Sequence, residues 1–258
     1  MTTTRWLLWF VTLSAIWGFS FLFIKVADES LAPVQVALGR TSFGLAAVVA
    51  ILVARRQRPP SGARTWGHLA VAALLLNAAP FTLYAYGETR TSSVLAGIFN
   101  ATTPLFAVPI AALVVPGERL TRSRLGGLAV GFAGAATVLG IWRGLGGAHV
   151  EGDLLCLGGA ACYGVGFPYA RRFLTGRAEP WRLAAGQLAC ATVELAIVSL
   201  LVSSAPAALP ARALAAVAAL GIFGTGIAYV LSFTLLRDAG PAVSSTVTYA
   251  IPAFSTLA

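Results

Sequence analysis

A single carboxyl group lies deep within an apolar stretch of the second half of the chain. Glu194 is about midway along Leu183–Ser203, and the residues one helical turn away from it are apolar or cysteine. Ionisable side chains are costly in such surroundings and occur there mainly where they have a function. We hypothesise that Glu194 binds a proton or another cation in a coupled process. The alternative is a neutral acid that hydrogen-bonds to a neighbouring helix.

Arg40 is a second charge within an apolar stretch. It lies eight residues into Pro33–Val53, which is roughly 11 Å deep at about 1.5 Å per helical residue. A guanidinium group can bind a carboxylate through two parallel hydrogen bonds, so Arg40 suits a substrate carboxylate. A structural ion pair or bonds to backbone carbonyls would explain its position equally well. Lys25, by contrast, ends its stretch and is predicted to be an interfacial anchor.

Two prolines at equivalent places in the chain indicate interruptions of helices. Pro104 and Pro252 are predicted to lie inside helices, where each would free a carbonyl four residues earlier, at Asn100 and Thr248. Within a membrane such a carbonyl must be satisfied by protein or by a water-filled cavity. A kink without a binding role is the simpler interpretation, but the polar residue at each place favours a cavity.

Aromatic and amide side chains within apolar stretches complete the candidate cavity. The predicted substrate-binding set is Trp17, Arg40, Asn77, Tyr84, Asn100, Tyr163, Gln187, Thr248 and Tyr249. The aromatic members would stack on a substrate or pack in the core, and the sequence leaves both interpretations open.

The elements that position these residues are apolar helices. The chain of 258 residues is 58% hydrophobic and 10% charged, whereas soluble domains are about 25% charged. Nine stretches approach or reach the length that spans a bilayer, which is about 17–25 residues. They predict an all-α integral membrane protein with helices near Trp6–Val26, Pro33–Val53, Trp66–Tyr86, Thr91–Val115, Leu125–Trp142, Asp153–Ala170, Leu183–Ser203, Ala213–Leu236 and Ala242–Ala258.

The basic residues orient these helices in the bilayer. The net charge is +9, but 13 of the 18 basic residues lie at alternate boundaries, and the opposite loops contain only Arg90, Arg143 and Arg212. This asymmetry follows the positive-inside rule and predicts a cytoplasmic N-terminus in a plasma membrane. The excess charge is therefore assigned to membrane orientation, and no nucleic-acid partner is expected.

The chain also contains an internal repeat. Trp17 recurs as Tyr163, Arg40 as Gln187, and Pro104 as Pro252, at offsets of 146, 147 and 148 residues. A near-constant offset indicates a duplicated unit, predicted to occupy 1–145 and 146–258. Five helices separate the copies, so equivalent helices cross the membrane in opposite directions. Inverted repeats are typical of transporters with a site near the bilayer midplane.

Sequence motifs for other functions are missing. The chain has no Gly-x-x-x-x-Gly-Lys-[Ser/Thr] motif, and its histidines, His68 and His149, are too far apart for a His-x-x-x-His metal site. We therefore expect no cofactor and no metal. An intramembrane enzyme remains a second hypothesis, although Glu194 and Arg40 alone are a poor catalytic set. A pore would require polar stripes along several helices.

Four short motifs resemble the EamA family of the drug/metabolite transporter superfamily. They are Ala15–Ser20 followed by Lys25, Gly117–Leu120, Gly152–Leu155 and Phe223–Tyr229. The resemblance covers essentially the whole chain and implies a ten-helix transporter of the inner membrane, often an exporter of amino acids or related metabolites. The family pattern continues with a tenth helix, so we expect that this sequence is truncated within its ninth.

These observations together predict a secondary transporter that exports small metabolites, most plausibly amino acids or derivatives, by alternating access. Proton coupling is a hypothesis that depends on Glu194. The main alternative is an exporter of amphipathic drugs, because the predicted cavity is largely apolar.

Overall fold

The computed structural model describes residues 3–139, 150–204 and 209–255, and these form an all-α structure. Two π-helical segments, Leu74–Ala78 and Ile222–Ile227, connect α3 to α4 and α10 to α11. The α-helices are α1 (Thr3–Asp28), α2 (Pro33–Ala54), α3 (Ala63–Ala73), α4 (Ala79–Glu88), α5 (Ser93–Asn100), α6 (Thr103–Val114), α7 (Arg122–Leu139), α8 (Val150–Phe173), α9 (Pro180–Val202), α10 (Ala211–Gly221) and α11 (Ala228–Ser255).

The helices have the length and surface of membrane-spanning segments. Six stretches of the described residues are long and apolar enough to cross a bilayer: Trp6–Asp28, Pro33–Ala54, Ala63–Glu88, Leu95–Val114, Pro180–Val202 and Ala211–Ile251. The last stretch contains two helical parts, because Gly240 leaves helical geometry at φ 82°. Large apolar side chains such as Leu113 and Leu200 are 85% exposed. Such a surface is suited to lipid rather than to water.

The fourth predicted helix is divided in the structure. Residues 101–102 separate α5 from α6, and Pro104 lies in the first turn of α6. Pro104 is therefore not in the interior of a helix as predicted, although the interruption that the prolines indicated does occur, at residues 101–102. In a first turn the missing N–H of proline has no intrahelical partner to lose, so proline is well tolerated there. The side chain of Pro252, the ends of the fifth and ninth predicted helices (140–142 and 256–258), and His149 lie outside the described part.

The two halves of the chain repeat the same architecture. The π-helical segments begin 148 residues apart, at Leu74 and Ile222, and α2 and α9 begin with prolines 147 residues apart. The prolines pre-set the backbone angle of a first helical turn. This equivalence agrees with the inverted repeat that the sequence predicts.

The halves interlock through close helix contacts. α2 packs against the π-helical segment Ile222–Ile227, α1 against α11, and α4 and α6 against α8. Glycines permit the first of these contacts, since a methyl group on Gly44 would lie 3.0 Å from the Gly221 carbonyl oxygen and 3.1 Å from the Gly226 nitrogen. Small residues allow such close backbone approach between membrane helices.

We expect Gly221→Ala to lower the stability of the purified protein in detergent by about 1–3 kcal/mol, because the added methyl group overpacks the crossing. That methyl group would lie 2.8 Å from the Arg40 carbonyl oxygen and 3.1 Å from the Gly44 nitrogen. Gly67→Ala is the matched control, since nothing lies within 4 Å of its added methyl group. Equal thermal midpoints for the two variants would contradict the steric argument.

Candidate functional site

A central cavity lies between the two halves of the chain. Its volume is about 50 Å³. Seven of the nine residues predicted from the sequence to bind substrate line it: Trp17, Arg40, Tyr84, Asn100, Tyr163, Gln187 and Thr248. Because equivalent helices of both repeats surround the cavity, residues at equivalent positions meet there. Their role in binding stays a prediction.

A hydrogen bond and a stacked ring hold the side chain of Arg40 on one side of the cavity. The Nε atom donates a hydrogen bond to the Thr225 hydroxyl at 3.1 Å, and the guanidinium carbon lies 3.6 Å from the centre of the Phe81 ring. The residue is 6% exposed. A hydrogen bond through Nε and a stacked ring fix the plane of the guanidinium, and its two terminal amino groups make no hydrogen bond within the described part of the chain. They are therefore suited to bind a carboxylate.

Two amides, one from each repeat, occupy the places equivalent to those of Arg40 and Thr225. Gln187, equivalent to Arg40, donates a hydrogen bond at 2.6 Å to the Asn77 side-chain oxygen, and Asn77 is equivalent to Thr225. Both amides are fully buried, and Asn77 Nδ2 and Gln187 Oε1 have no hydrogen-bond partner among the described residues. Asn77 lies behind Gln187 and does not line the cavity. Each half thus contacts the π-helical segment of the other through one polar pair.

Two aromatic side chains donate hydrogen bonds to carbonyl oxygens within the π-helical segments. Trp17 Nε1 donates to the Gly224 carbonyl at 3.2 Å, and the Tyr229 hydroxyl donates to the Leu76 carbonyl. Pro80 explains the second bond, because it has no N–H to donate to the carbonyl four residues earlier. The Tyr229 ring lies edge-on to Trp17, with 6.4 Å between centres.

Sequence reasoning missed several residues that line the cavity, including Tyr229 and Phe81, and it missed the nearby Glu88. Tyr229 and Phe81 line the cavity and make the contacts described above, and Glu88 is fully buried and close enough to Arg40 for their charges to interact. Pro80 was a usable signal for a carbonyl acceptor at this depth. The sequence has no comparable signal for Phe81 or Glu88, because their positions depend on how the helices cross.

Two predicted residues lie away from the cavity. Tyr249 packs against Gly131 of α7, where the lack of a side chain admits its ring. Glu194 is half-buried on α9, and its neighbours Val193 and Ile197 are 60% and 55% exposed on the outer surface. Glu194 Oε2 is buried without a hydrogen-bond partner among the described residues. Neither residue is among those that line the central cavity.

The sequence that builds these two halves and the cavity between them matches a known family. The sequence fits the model of the EamA-like transporter family over residues 4–140 and 150–258. The chain belongs to this family. An EamA-like protein with these apolar helices is a multi-pass membrane transporter, and the resemblance found in the sequence is confirmed.

Relatives of this EamA-like chain are found among bacterial membrane proteins. It is 28% identical over 247 residues to the protein named "uncharacterized inner membrane transporter YedA" of Escherichia coli strain K12, covering 94% of this chain and 78% of the relative. The same values hold for YedA of strains O6:H1 and O157:H7. A protein of known crystal structure, 24% identical, shares the fold with a TM-score of 0.76 over 99% of this chain and 87% of that one.

We expect the buried amides Asn77 and Gln187 to be energetically coupled. In a double-mutant cycle of Asn77→Ala and Gln187→Ala, thermal unfolding in detergent should give a coupling of about 0.5–2 kcal/mol, the range of hydrogen bonds between membrane helices. The exposed ion pair between Arg212 and Glu29, 3.3 Å apart, is the control and should give a coupling near zero. Additive effects of the two amide substitutions would show that the bond contributes nothing.

Proposed function

We propose that this EamA-like chain is a secondary transporter that exports small metabolites, most plausibly amino acids or their derivatives, by alternating access. The observation that carries the proposal is the buried guanidinium of Arg40 at the cavity between the repeats. A desolvated arginine attracts an anionic group much more strongly than a surface arginine does. The substrate class favoured here is therefore a molecule that carries a carboxylate.

The remainder of the lining supports a small metabolite with both polar and apolar parts. Asn100, Gln187 and Thr248 offer hydrogen-bonding groups, whereas Phe21, Phe167 and Phe233 offer apolar surface. Pockets for small molecules commonly combine mostly apolar walls with a few polar groups that fix orientation. We place the carboxylate at Arg40 and the remainder of the substrate against the aromatic rings.

Alternating access is the mechanism that an inverted repeat suits best. Two equivalent halves around one site can exchange their conformations, which opens the site to each side of the membrane in turn. The proposed halves are 1–145 and 146–258. The basic residues at alternate boundaries support a cytoplasmic N-terminus, and the inner membrane location of YedA supports the same membrane for this chain.

Export of amphipathic drugs is the alternative that the apolar lining favours. Many such drugs are cations, and a buried guanidinium would repel them, so we rank this alternative second. An intramembrane enzyme ranks lower still. The described lining combines Arg40 with Tyr84, Tyr163 and Tyr229 but contains no carboxylate, histidine, cysteine or lysine. Such a set is better suited to bind than to transfer protons or to form covalent intermediates.

We expect Arg40→Gln to lower export of a carboxylate substrate about tenfold or more, because a hydrogen-bonded charge pair is worth about 1.5–3 kcal/mol. The substrate is found first, by screening for metabolites whose toxicity is relieved by overexpression of the full-length protein. Efflux of that metabolite is then measured in cells. Arg40→Lys should retain part of the activity, since it keeps the charge but loses the fork of donors.

The matched control is Arg172→Gln, which removes the same charge from an exposed position at the end of α8. It should transport like the unmodified protein. Full transport and normal membrane levels for Arg40→Gln would overturn the binding role of Arg40. Relief of toxicity by overexpression for cationic drugs alone would favour the drug exporter instead.

Proton coupling through Glu194 forms part of this proposal. Glu194 lies seven residues, or about two helical turns, after Gln187, so both residues lie on nearly the same face of α9. Glu194 itself does not line the cavity. A proton on Glu194 would therefore act by shifting α9 rather than by contact with the substrate. We expect Glu194→Gln, which mimics the protonated acid, to abolish the dependence of transport on a pH gradient imposed across membrane vesicles.

Glu179→Gln is the control for Glu194, because Glu179 is an exposed carboxylate at the start of the same helix. Its pH-gradient dependence should be unchanged. Undiminished coupling in Glu194→Gln vesicles would rule out Glu194 as the coupling group.

A further inference from the structure

Two basic side chains make equivalent hydrogen bonds at opposite ends of the molecule. Lys25, near the end of α1, donates from Nζ to the Glu88 carbonyl oxygen at 3.1 Å. Arg171, near the end of α8, donates from Nη1 to the Leu236 carbonyl oxygen at 2.9 Å. Lys25 and Arg171 are 146 residues apart, and Glu88 and Leu236 are 148 apart. The duplication has therefore preserved both the donor and the acceptor of this contact.

The acceptors are the carbonyls at the end of a helical segment. Glu88 is the last residue of α4, and Leu236 lies four residues before the break in α11 at Gly240. Carbonyls in the last turn of a helix have no intrahelical partner and carry partial negative charge, so they attract basic side chains. Arg171 Nη1 also donates to the next carbonyl, that of Arg237, at 2.9 Å.

These contacts lie directly beyond the two ends of the central cavity. Ile24 and Ala170, the residues that precede Lys25 and Arg171, both line the cavity, and so does Leu236. Because the repeat is inverted, α1 and α8 end at opposite faces of the membrane. One contact therefore joins α1 to α4 at one face, and the other joins α8 to α11 at the opposite face.

We propose that Lys25 and Arg171 are the two gate residues of the transporter, each holding one end of the cavity closed. We call the two contacts the α1 latch (Lys25 with the Glu88 carbonyl) and the α8 latch (Arg171 with the Leu236 carbonyl). Both are closed in this structure. The inference rests on the alternating access proposed above, in which one latch opens while the other stays closed.

The chemistry of the latches suits repeated opening. Each consists of charge-assisted hydrogen bonds to backbone carbonyls, made at the end of a helix where water can replace either partner. The acceptor is backbone, so the contact depends on a basic donor of suitable length and not on the identity of the acceptor side chain. This explains how Glu88 in one repeat and Leu236 in the other can serve the same contact.

Side-specific cysteine labelling tests the proposal without knowledge of the substrate. The cysteines Cys156, Cys162 and Cys190 are replaced by alanine, and the cavity residue Ser232 is replaced by cysteine as a reporter. The full chain in sealed vesicles of known sidedness is then exposed to a membrane-impermeant thiol reagent. We expect Lys25→Gln to raise the labelling rate about tenfold from the face at which α1 ends.

Opening of the α8 latch should raise labelling at the other face of the membrane. Arg171→Gln should raise labelling from the other face by a similar factor, and the conservative variants Lys25→Arg and Arg171→Lys should label as slowly as the parent. Arg172→Gln is the matched control, because it removes the same charge one residue away from Arg171 and should leave both rates unchanged. A merely structural role would not produce increases from opposite faces that a basic residue restores.

Unchanged labelling, or an equal increase from both faces, would overturn the gate assignment. If one glutamine variant fails to reach the membrane, the variant of the other latch tests the proposal by itself. It must raise labelling only from the face at which its own latch lies. The outcome is also separate from that of the proposed function. Loss of efflux in Arg40→Gln together with unchanged labelling in the latch variants would remove the gates and leave the carboxylate site standing.

Discussion

Within a bilayer no water is available to hydrogen-bond with backbone groups where a helix is interrupted. This constraint shapes the centre of the protein. Each repeat interrupts its third membrane crossing with a π-helical segment, at Leu74–Ala78 and at Ile222–Ile227. The carbonyls of Leu76 and Gly224 within these segments accept hydrogen bonds from Tyr229 and Trp17, each from the opposite repeat. The aromatic lining therefore joins the two repeats at these segments.

Hydrogen bonds between the two repeats also position the polar side chains of the site. Arg40 bonds to Thr225 in one π-helical segment, and Gln187 bonds to Asn77 in the other, at equivalent positions. The scaffold is symmetric, but a cation on one side faces neutral amides on the other. A symmetric cavity would bind a substrate in two orientations, whereas under the proposed function one charge among amides would select a single orientation for an anionic group. The duplication thus accounts for the equivalent helices around the cavity, and the difference between Arg40 and Gln187 places a positive charge on one side only.

Most of the fold follows from the sequence because a bilayer simplifies it. Apolar length predicts the membrane crossings, and the constant offset between Trp17 and Tyr163 or Arg40 and Gln187 predicts which residues meet. The offset works because equivalent helices surround one cavity. The helix faces are harder to predict, since lipid-facing and core-facing residues are equally apolar. This is why Tyr249 packs on Gly131, although it lies at a suitable depth. Glu194 lies on nearly the same face of α9 as Gln187 but two helical turns farther along, and it does not line the cavity.

The breaks in the helices escaped prediction for a related reason. Proline marks where a hydrogen bond is lost, but not whether the chain bends, forms a π-helical segment or divides. Pro80 follows a π-helical segment, whereas Pro104 begins a separate helix after residues 101–102. At Pro80 the freed carbonyl of Leu76 accepts a hydrogen bond from Tyr229, which belongs to the other repeat and lies 153 residues away in sequence. Local sequence pattern does not contain such a contact.

Polar contacts at the centre and at the rim differ in what can replace them. At the centre, the bonds of Trp17, Arg40, Gln187 and Tyr229 all join one repeat to the other, and all but the partly buried bond of Trp17 are buried. Breaking them would leave unsatisfied groups away from water, which is costly. At the rim, Lys25 and Arg171 join helices within one repeat, where water can take over. Under alternating access, as the two repeats exchange conformations, the central bonds would hold the repeats together, and the rim bonds within each repeat would be the ones that break.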